Sequence, residues 1–202
     1  MTIKKEASDS IGRAAEVLER GGIAVLPTDT VYGLSAQVPS CANSPDSAEE
    51  KIRRIKGRSE SKPFIQLIAQ PDDIWKYTDE RIPDALLSCW PGALTLVVPT
   101  KKTAPLFPLP PTVAFRCPGD EWLRAVIGMV GRTLYSTSVN KSGFPALWRI
   151  DDIVRTFGRD VDLIVSDGDR ADAIPSTVAQ THNGHVTVLR QGAVKLPAEL
   201  CQ

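Results

Sequence analysis

The 202 residues carry 24 Lys and Arg against 24 Asp and Glu, so the formal charge is zero and no net field draws the chain to nucleic acid; any RNA contact is expected to be weak or local. A hydrophobic share of 42% with 24% charged residues is that of a globular domain, and no apolar run approaches the roughly 20 residues that span a bilayer. The polar opening MTIKKEASDS lacks the apolar core of a secretory signal, and Cys41, Cys89, Cys117 and Cys201 lie far apart with no CxxC pair, which argues against a zinc site or a disulfide framework and for a cytoplasmic chain with structural thiols.

Ile11, Ala14, Ala15 and Leu18 recur at helical spacing, with Ser8, Asp9 or Ser10 as candidate caps and Gly21-Gly22 as the stop. The apolar run IAVLP, 23 to 27, reads as a short buried strand, and the polar stretch PTDTVYGL leaves it. Ser47-Ala48-Glu49-Glu50 has the form of a capping box and opens a helix with Ile52 and Ile55 on its apolar side; Gly57 should end it, which puts Lys56 and Arg58 at its carboxyl end. PFIQLIA follows as a strand, then short helical segments near 71 to 78 and 82 to 89, then strands in WPGALTLVVP, TVAFRCP and RTLYSTSVN, with a helix in EWLRAVI. The proline-rich TAPLFPLPPT, 103 to 112, reads as an irregular loop. Residues 148 to 157 read as a helix, DLIVSDG as a strand into a turn, and PSTVA and HVTVLRQG as closing strands around the surface turn THNGH, where His182 and His185 have no catalytic setting. Strands and helices alternate through short connections without a repeat, which predicts one α/β domain over 1–202 built on a mixed sheet flanked by helices.

Ligands of α/β sheets bind at strand exits, where loops present polar groups on a rigid frame. Here the exits share one kind of equipment: PTDTVYG, KGR with Lys62 close behind, FRCPGD, STSVN, PSTV and LRQG. Each alone is ordinary turn, cap or helix-end chemistry. Together they supply hydroxyls, amides and the cations Lys56, Arg58, Lys62, Arg116 and Arg190, with no Ser-His-Asp or Cys-His pair. Such a set binds phosphate or carboxylate oxygens and suits phosphoryl or nucleotidyl transfer, in which positioning and charge neutralisation supply the catalysis. Neither GxxxxGK[ST] nor GxGxxG occurs, so a nucleotide site must be of another type.

In this order PTDTVYGL, KGR, WPGALTLVV, VAFRCP, TSVN with SG, PSTV and RQG make the sequence resemble the YrdC-type threonylcarbamoyl-AMP synthases over about residues 10 to 195. The resemblance implies a twisted mixed sheet around a concave cleft, and an enzyme that makes threonylcarbamoyl-AMP and pyrophosphate from L-threonine, bicarbonate and ATP, with Mg²⁺ on the phosphates. It also implies that separate tRNA threonylcarbamoyl transferase proteins consume the product. Carried over by position, Lys56 and Arg58 hold triphosphate oxygens and offset charge at the α-phosphorus, and Lys62, Thr112, Ser138, Asn140 and Arg190 complete the ATP side. Thr30, Arg116, Ser136 and Ser176 align with threonine contacts, and Thr28 and Tyr32 are expected to form the wall beside them. No residue is assigned as base for the threonine amine.

The chain departs from many relatives at Leu67, where they carry histidine, and at Asp167-Gly168-Asp169, where they read DGG. Its stop soon after RQGAV resembles the short, single-domain branch of the family. Two other readings stand beside it: a carbamoyl-adenylate-forming domain of hydrogenase maturation, and an RNA-binding module using the cations of residues 51 to 62. Glu49, Glu50 and Glu60 dilute that second cluster, and no aromatic stripe accompanies it.

Overall fold

In the computed structural model, which describes residues 1–39, 47–57, 63–104 and 110–200, the helical spacing of Ile11, Ala14, Ala15 and Leu18 becomes α1 (Ser10–Glu19), with Ala14, Ala15 and Leu18 buried on its inner face. Ser47 caps α2 (Ala48–Lys56) by accepting from the Glu50 N–H at 3.2 Å, and Gly57 at φ 62° ends it in the left-handed region that glycine reaches without strain. The remaining helices are α3 (Asp84–Leu87), α4 (Glu121–Val130) and α5 (Ile150–Phe157). The helical segments expected near 71 to 78 and 82 to 89 are shorter: a 3-10 helix covers Pro71–Lys76 and α3 has a single turn, each opened by a proline that cannot continue a preceding helix.

Among the described residues ten strands form one mixed sheet: β1 (Thr2–Lys4), β2 (Ala24–Leu26), β3 (Gly33–Gln37), β4 (Ile65–Leu67), β5 (Leu94–Pro99), β6 (Thr112–Arg116), β7 (Leu134–Ser138), β8 (Leu163–Ser166), β9 (Thr177–His182) and β10 (His185–Arg190). Their spatial order is β1-β8-β2-β3-β7-β4-β6-β5-β9-β10. Two of them were not expected. β1 is three residues long and is fixed by parallel pairing with β8, and β3, GLSAQ, has little β-branched content yet pairs antiparallel with both β2 and β7. PTDTVY is therefore the loop that joins β2 to β3.

The two halves of the sheet are covered differently, and this makes the cleft. In β2, Ala24 and Leu26 pack into the layer of α1 and α4 while Val25 packs into the opposite layer of α2 and α5; in β8, Leu163 and Val165 face the first layer and Ile164 the second. Both faces of that half are dry, which is why IAVL and LIV read as continuous apolar runs. In the other half, Leu94, Leu96, Val98, Val113 and Phe115 bury one face of β5 and β6 against Ile74, Tyr77, Leu86 and Trp90. Each large side chain fully buried in this way contributes about 1.5–3 kcal/mol. The alternate residues Thr95, Val97, Ala114 and Arg116 face the other way and line an open concavity. Register sets its floor: Ser136 lies opposite Ile65, Ile65 opposite Ala114 and Ala114 opposite Val97, so these four project from one face across neighbouring strands.

Candidate active site

The concavity is a cleft of about 470 Å³, of the size that holds a small-molecule ligand. Its walls bring together Thr28, Thr30, Tyr32, Arg116, Ser136, Ser138, Asn140, Ser176 and Arg190 from five separate segments of chain. Thr112 starts β6 two residues before Ala114, on the same face but exposed beyond the cleft wall. Arg58 and Lys62 lie outside the described residues.

Arg116 is 5% exposed and anchors one side. Its Nε donates to the Gly92 carbonyl at 3.0 Å, Nη1 to Thr30 Oγ1 at 2.8 Å and Nη2 to Asp29 Oδ1 at 2.6 Å. A guanidinium has five N–H donors and these bonds use three, so among the described residues one N–H on each Nη is left to bind an anionic ligand such as a carboxylate. Thr30 is itself ordered by Thr28, whose Oγ1 accepts from the Thr30 N–H and shares a hydrogen bond with Thr30 Oγ1, both at 3.0 Å. The Tyr32 side chain does not present its hydroxyl to the cleft. Its ring is fully buried among Val25, Leu34 and Ile52, and the hydroxyl accepts from the Asp167 N–H at 2.8 Å and donates to the Gly168 carbonyl at 2.7 Å. Burial pushes this phenol up, so it stays a neutral donor.

Arg190 donates through Nε and Nη2 to the Ser176 carbonyl at 3.2 and 2.8 Å, and Ser176 Oγ lies 2.8 Å from Thr95 Oγ1. Partial burial and, after it, the nearby Arg116 charge lower the Arg190 pKa, and both cations line the cleft. Thr95 was not anticipated as a cleft residue. The alternation in LTLVV, with leucines on the buried face, carries the signal that Thr95 faces the other way.

On the opposite side, Lys56 is 3% exposed and points inward from the last turn of α2. Its Nζ donates to the carbonyls of Ser138 and Asn140 and to Asn140 Oδ1, the latter two at 2.9 Å. Ser138 Oγ donates to the same Oδ1 at 2.6 Å, while Asn140 Nδ2 donates to the carbonyls of Lys141 and Phe144 at 3.0 and 2.7 Å. Asn140 therefore organises the loop and the ammonium, and Ser138 and Asn140 form the adjoining wall. Leu67, 2% exposed, stands on the floor, and its side chain offers only apolar contact.

Cys117 follows Arg116 but is sealed beneath it, and burial pushes its thiol up to about 11. At pH 8 about one thiol in a thousand is thiolate, so native protein treated with iodoacetamide should be alkylated at the half-exposed Cys89 well before Cys117, as read by peptide mass spectrometry. Cys41 and Cys201 lie outside the described residues. Among the described residues no group of three or more His, Cys, Asp or Glu could hold a metal ion.

The family model Sua5_yciO_yrdC, described as telomere recombination, matches residues 16–192. Threonylcarbamoyl-AMP synthase of Bacillus subtilis (strain 168) is 32% identical over 194 residues, 91% of this chain and 54% of that protein. The synthase of Blochmanniella floridana is 30% identical over 156 residues, 74% of this chain and 80% of that protein. The crystal structure of P. abyssi Sua5 complexed with L-threonine superposes with a TM-score of 0.80 at 27% identity, over 95% of this chain and 57% of that one. The chain thus spans little more than half the length of the Bacillus and P. abyssi proteins. Sequence and fold agree, and the chain belongs to the Sua5/YciO/YrdC family.

Proposed function

We propose that the chain is an L-threonylcarbamoyladenylate synthase. The observation that carries this reading is a single cleft with a buried guanidinium presenting two unused N–H groups beside Thr30, Ser136 and Ser176, and with Ser138 and Asn140, backed by Lys56, on its other side. The first set suits an amino-acid carboxylate and hydroxyl, and the second suits a nucleotide. The names of the synthase relatives and the threonine bound by the P. abyssi protein support the assignment.

In this reading Arg116 fixes the threonine carboxylate so that the amine reaches the carbon of bicarbonate or derived CO₂. A carbamate forms with loss of water or a proton. One carbamate oxygen then attacks the α-phosphorus of ATP, the bond to the β-phosphate oxygen breaks and pyrophosphate leaves. Lys56 and Arg58 offset charge on the phosphates, with Lys62, Thr112, Ser138, Asn140 and Arg190 completing the ATP side. Mg²⁺ would arrive on the ATP and neutralise charge on its phosphates. The product passes to tRNA threonylcarbamoyl transferase proteins in the cytoplasm, and the zero formal charge suits an enzyme of small molecules.

The test is to incubate pure protein with ATP, bicarbonate and threonine, serine or alanine in turn, and to follow pyrophosphate. Threonine should drive release, with alanine, which lacks the hydroxyl, rejected more strongly than serine. Threonine-independent turnover, or none with any amino acid, would sink the reading. A finer consequence concerns Gly33: a Cβ there would lie 2.7 Å from Ser136 Oγ. Gly33→Ala should rotate that hydroxyl away and raise the threonine KM by roughly 3–10-fold, the loss of one neutral hydrogen bond, with kcat little changed.

A further inference from the structure

The departure at Asp167-Gly168-Asp169 is followed by Arg170, and all four side chains or backbones of this segment are engaged. Gly168 turns the chain at φ 74°, Asp169 Oδ1 accepts from the Ile150 N–H at the start of α5 at 3.0 Å, and the Arg170 N–H bonds the Trp148 carbonyl at 3.0 Å. With its backbone held in this way, Arg170 reaches back across the molecule. Nη1 donates to the Thr28 carbonyl and Nη2 to Asp167 Oδ2, and the guanidinium lies 5.5 Å from the centre of the Tyr32 ring.

From Asp167 the connections continue away from the cleft and return to it. Asp167 Oδ2 also accepts from Lys5 Nζ at 3.1 Å, and Lys5 Nζ donates to Asp120 Oδ2 at 2.6 Å. Burial disfavours the Lys5 charge, but the two aspartates outweigh it and hold the ammonium pKa above its ordinary value. Asp120 Oδ1 caps α4 by accepting from the Leu123 N–H at 3.0 Å, and Asp120 stands four residues after Arg116. Thr28, Thr30 and Arg116 are linked on the cleft side as described. The ring Arg170, Thr28, Thr30, Arg116, Asp120, Lys5, Asp167 is therefore closed, through side chains except at the Thr28 carbonyl and along the short backbone path from Arg116 to Asp120.

We propose that Arg170, assisted by Lys5, is a positioning residue for the amino-acid half of the cleft: by fixing the Thr28 carbonyl it holds Thr30 and Arg116 at the separation that receives the threonine carboxylate. This rests on the synthase reading. Neither residue touches Lys56, Ser138 or Asn140, so the effect belongs to one substrate. A guanidinium suits position 170 because its planar fork directs one Nη to the Thr28 carbonyl and the other to Asp167, a geometry that a lysine ammonium does not reproduce.

The experiment measures pyrophosphate release in wild type, Arg170→Met, Arg170→Lys, Lys5→Met and the double variant Lys5→Met/Arg170→Met, with threonine and ATP varied separately. Arg170→Met should raise the threonine KM about tenfold and Lys5→Met a few-fold, with the ATP KM within a factor of two and Arg170→Lys in between. The double variant should be no worse than Arg170→Met, since both break one ring. Lys5→Met carries the test if Arg170→Met does not fold. An unchanged threonine KM in an active enzyme, or equal losses toward threonine and ATP, overturns the proposal while leaving the synthase reading intact. Absence of threonine-dependent release in wild type removes the reading itself, and the proposal with it.

Discussion

Arg116→Ala is expected to lower kcat/KM for threonine by roughly 100-fold or more, because a charged bidentate pair of about 3 kcal/mol is lost and each 1.4 kcal/mol is a factor of ten. The loss should fall on threonine and leave ATP affinity nearly intact, since Arg116 lies with Thr30 and Asp29 and away from Lys56. Folding stability should fall as well, by about 1–3 kcal/mol: Asp29 loses its counter-charge, and Thr30 Oγ1 and the Gly92 carbonyl lose a donor. The cost stays below that of breaking a fully dry ion pair because the Asp29 side chain keeps 20% of its surface in water. Arg116→Lys separates charge from geometry. It restores a cation but not the fork, so it should recover stability more than threonine affinity. Calorimetric titration with threonine and with ATP, beside thermal melts of the three proteins, checks both halves. Equal loss of the two affinities would mean that Arg116 holds the cleft together instead of receiving the amino acid.

What was legible in the sequence was the local chemistry. Ser47 and Gly57 mark α2 through a hydroxyl that caps and a glycine that turns left-handed, both readable without tertiary structure. The strand exits led to the cleft because the alternation of each strand fixes which residues share a face. What was not legible depended on partners distant in the chain. β1 has three residues and becomes a strand only because β8 lies beside it, with Thr2 opposite Ile164 far along the chain. β3 holds Ser35 fully buried between two antiparallel neighbours, a composition that carries no strand signal of its own. Tyr32 lines the cleft, as its position suggested, but its hydroxyl is taken by the turn at 167–168, and no spacing rule links residue 32 to residue 167. Lys56 is the instructive middle case. A cation at a helix carboxyl end ordinarily complements the macrodipole in water, but Ile52 lies one turn earlier on the same face and is fully buried, so the helix period already turns Lys56 inward.

That inward placement makes Lys56→Met the second large effect expected. Methionine fills much of the same stem volume but removes the ammonium that the Ser138 and Asn140 carbonyls and Asn140 Oδ1 share. Asn140 Oδ1 keeps the Ser138 hydroxyl as donor; a carbonyl left without any donor costs about 1–3 kcal/mol, and because the acceptors surround one point the costs do not add in full. Asn140 should then shift, and with it the wall that Ser138 Oγ forms by donating to Oδ1. On the synthase reading the same variant also loses a charge near the phosphates, a loss of roughly 10²–10³ in kcat, as for other preorganised groups that stabilise developing charge. The two contributions are separable. Asn140→Ala keeps the ammonium but removes its side-chain acceptor, so it should reproduce part of the instability and a smaller share of the activity loss. Pyrophosphate release at saturating threonine, measured with thermal melts of both variants, checks the division. If Asn140→Ala were as inactive as Lys56→Met at equal stability, the loop and not the Lys56 charge would govern the nucleotide side.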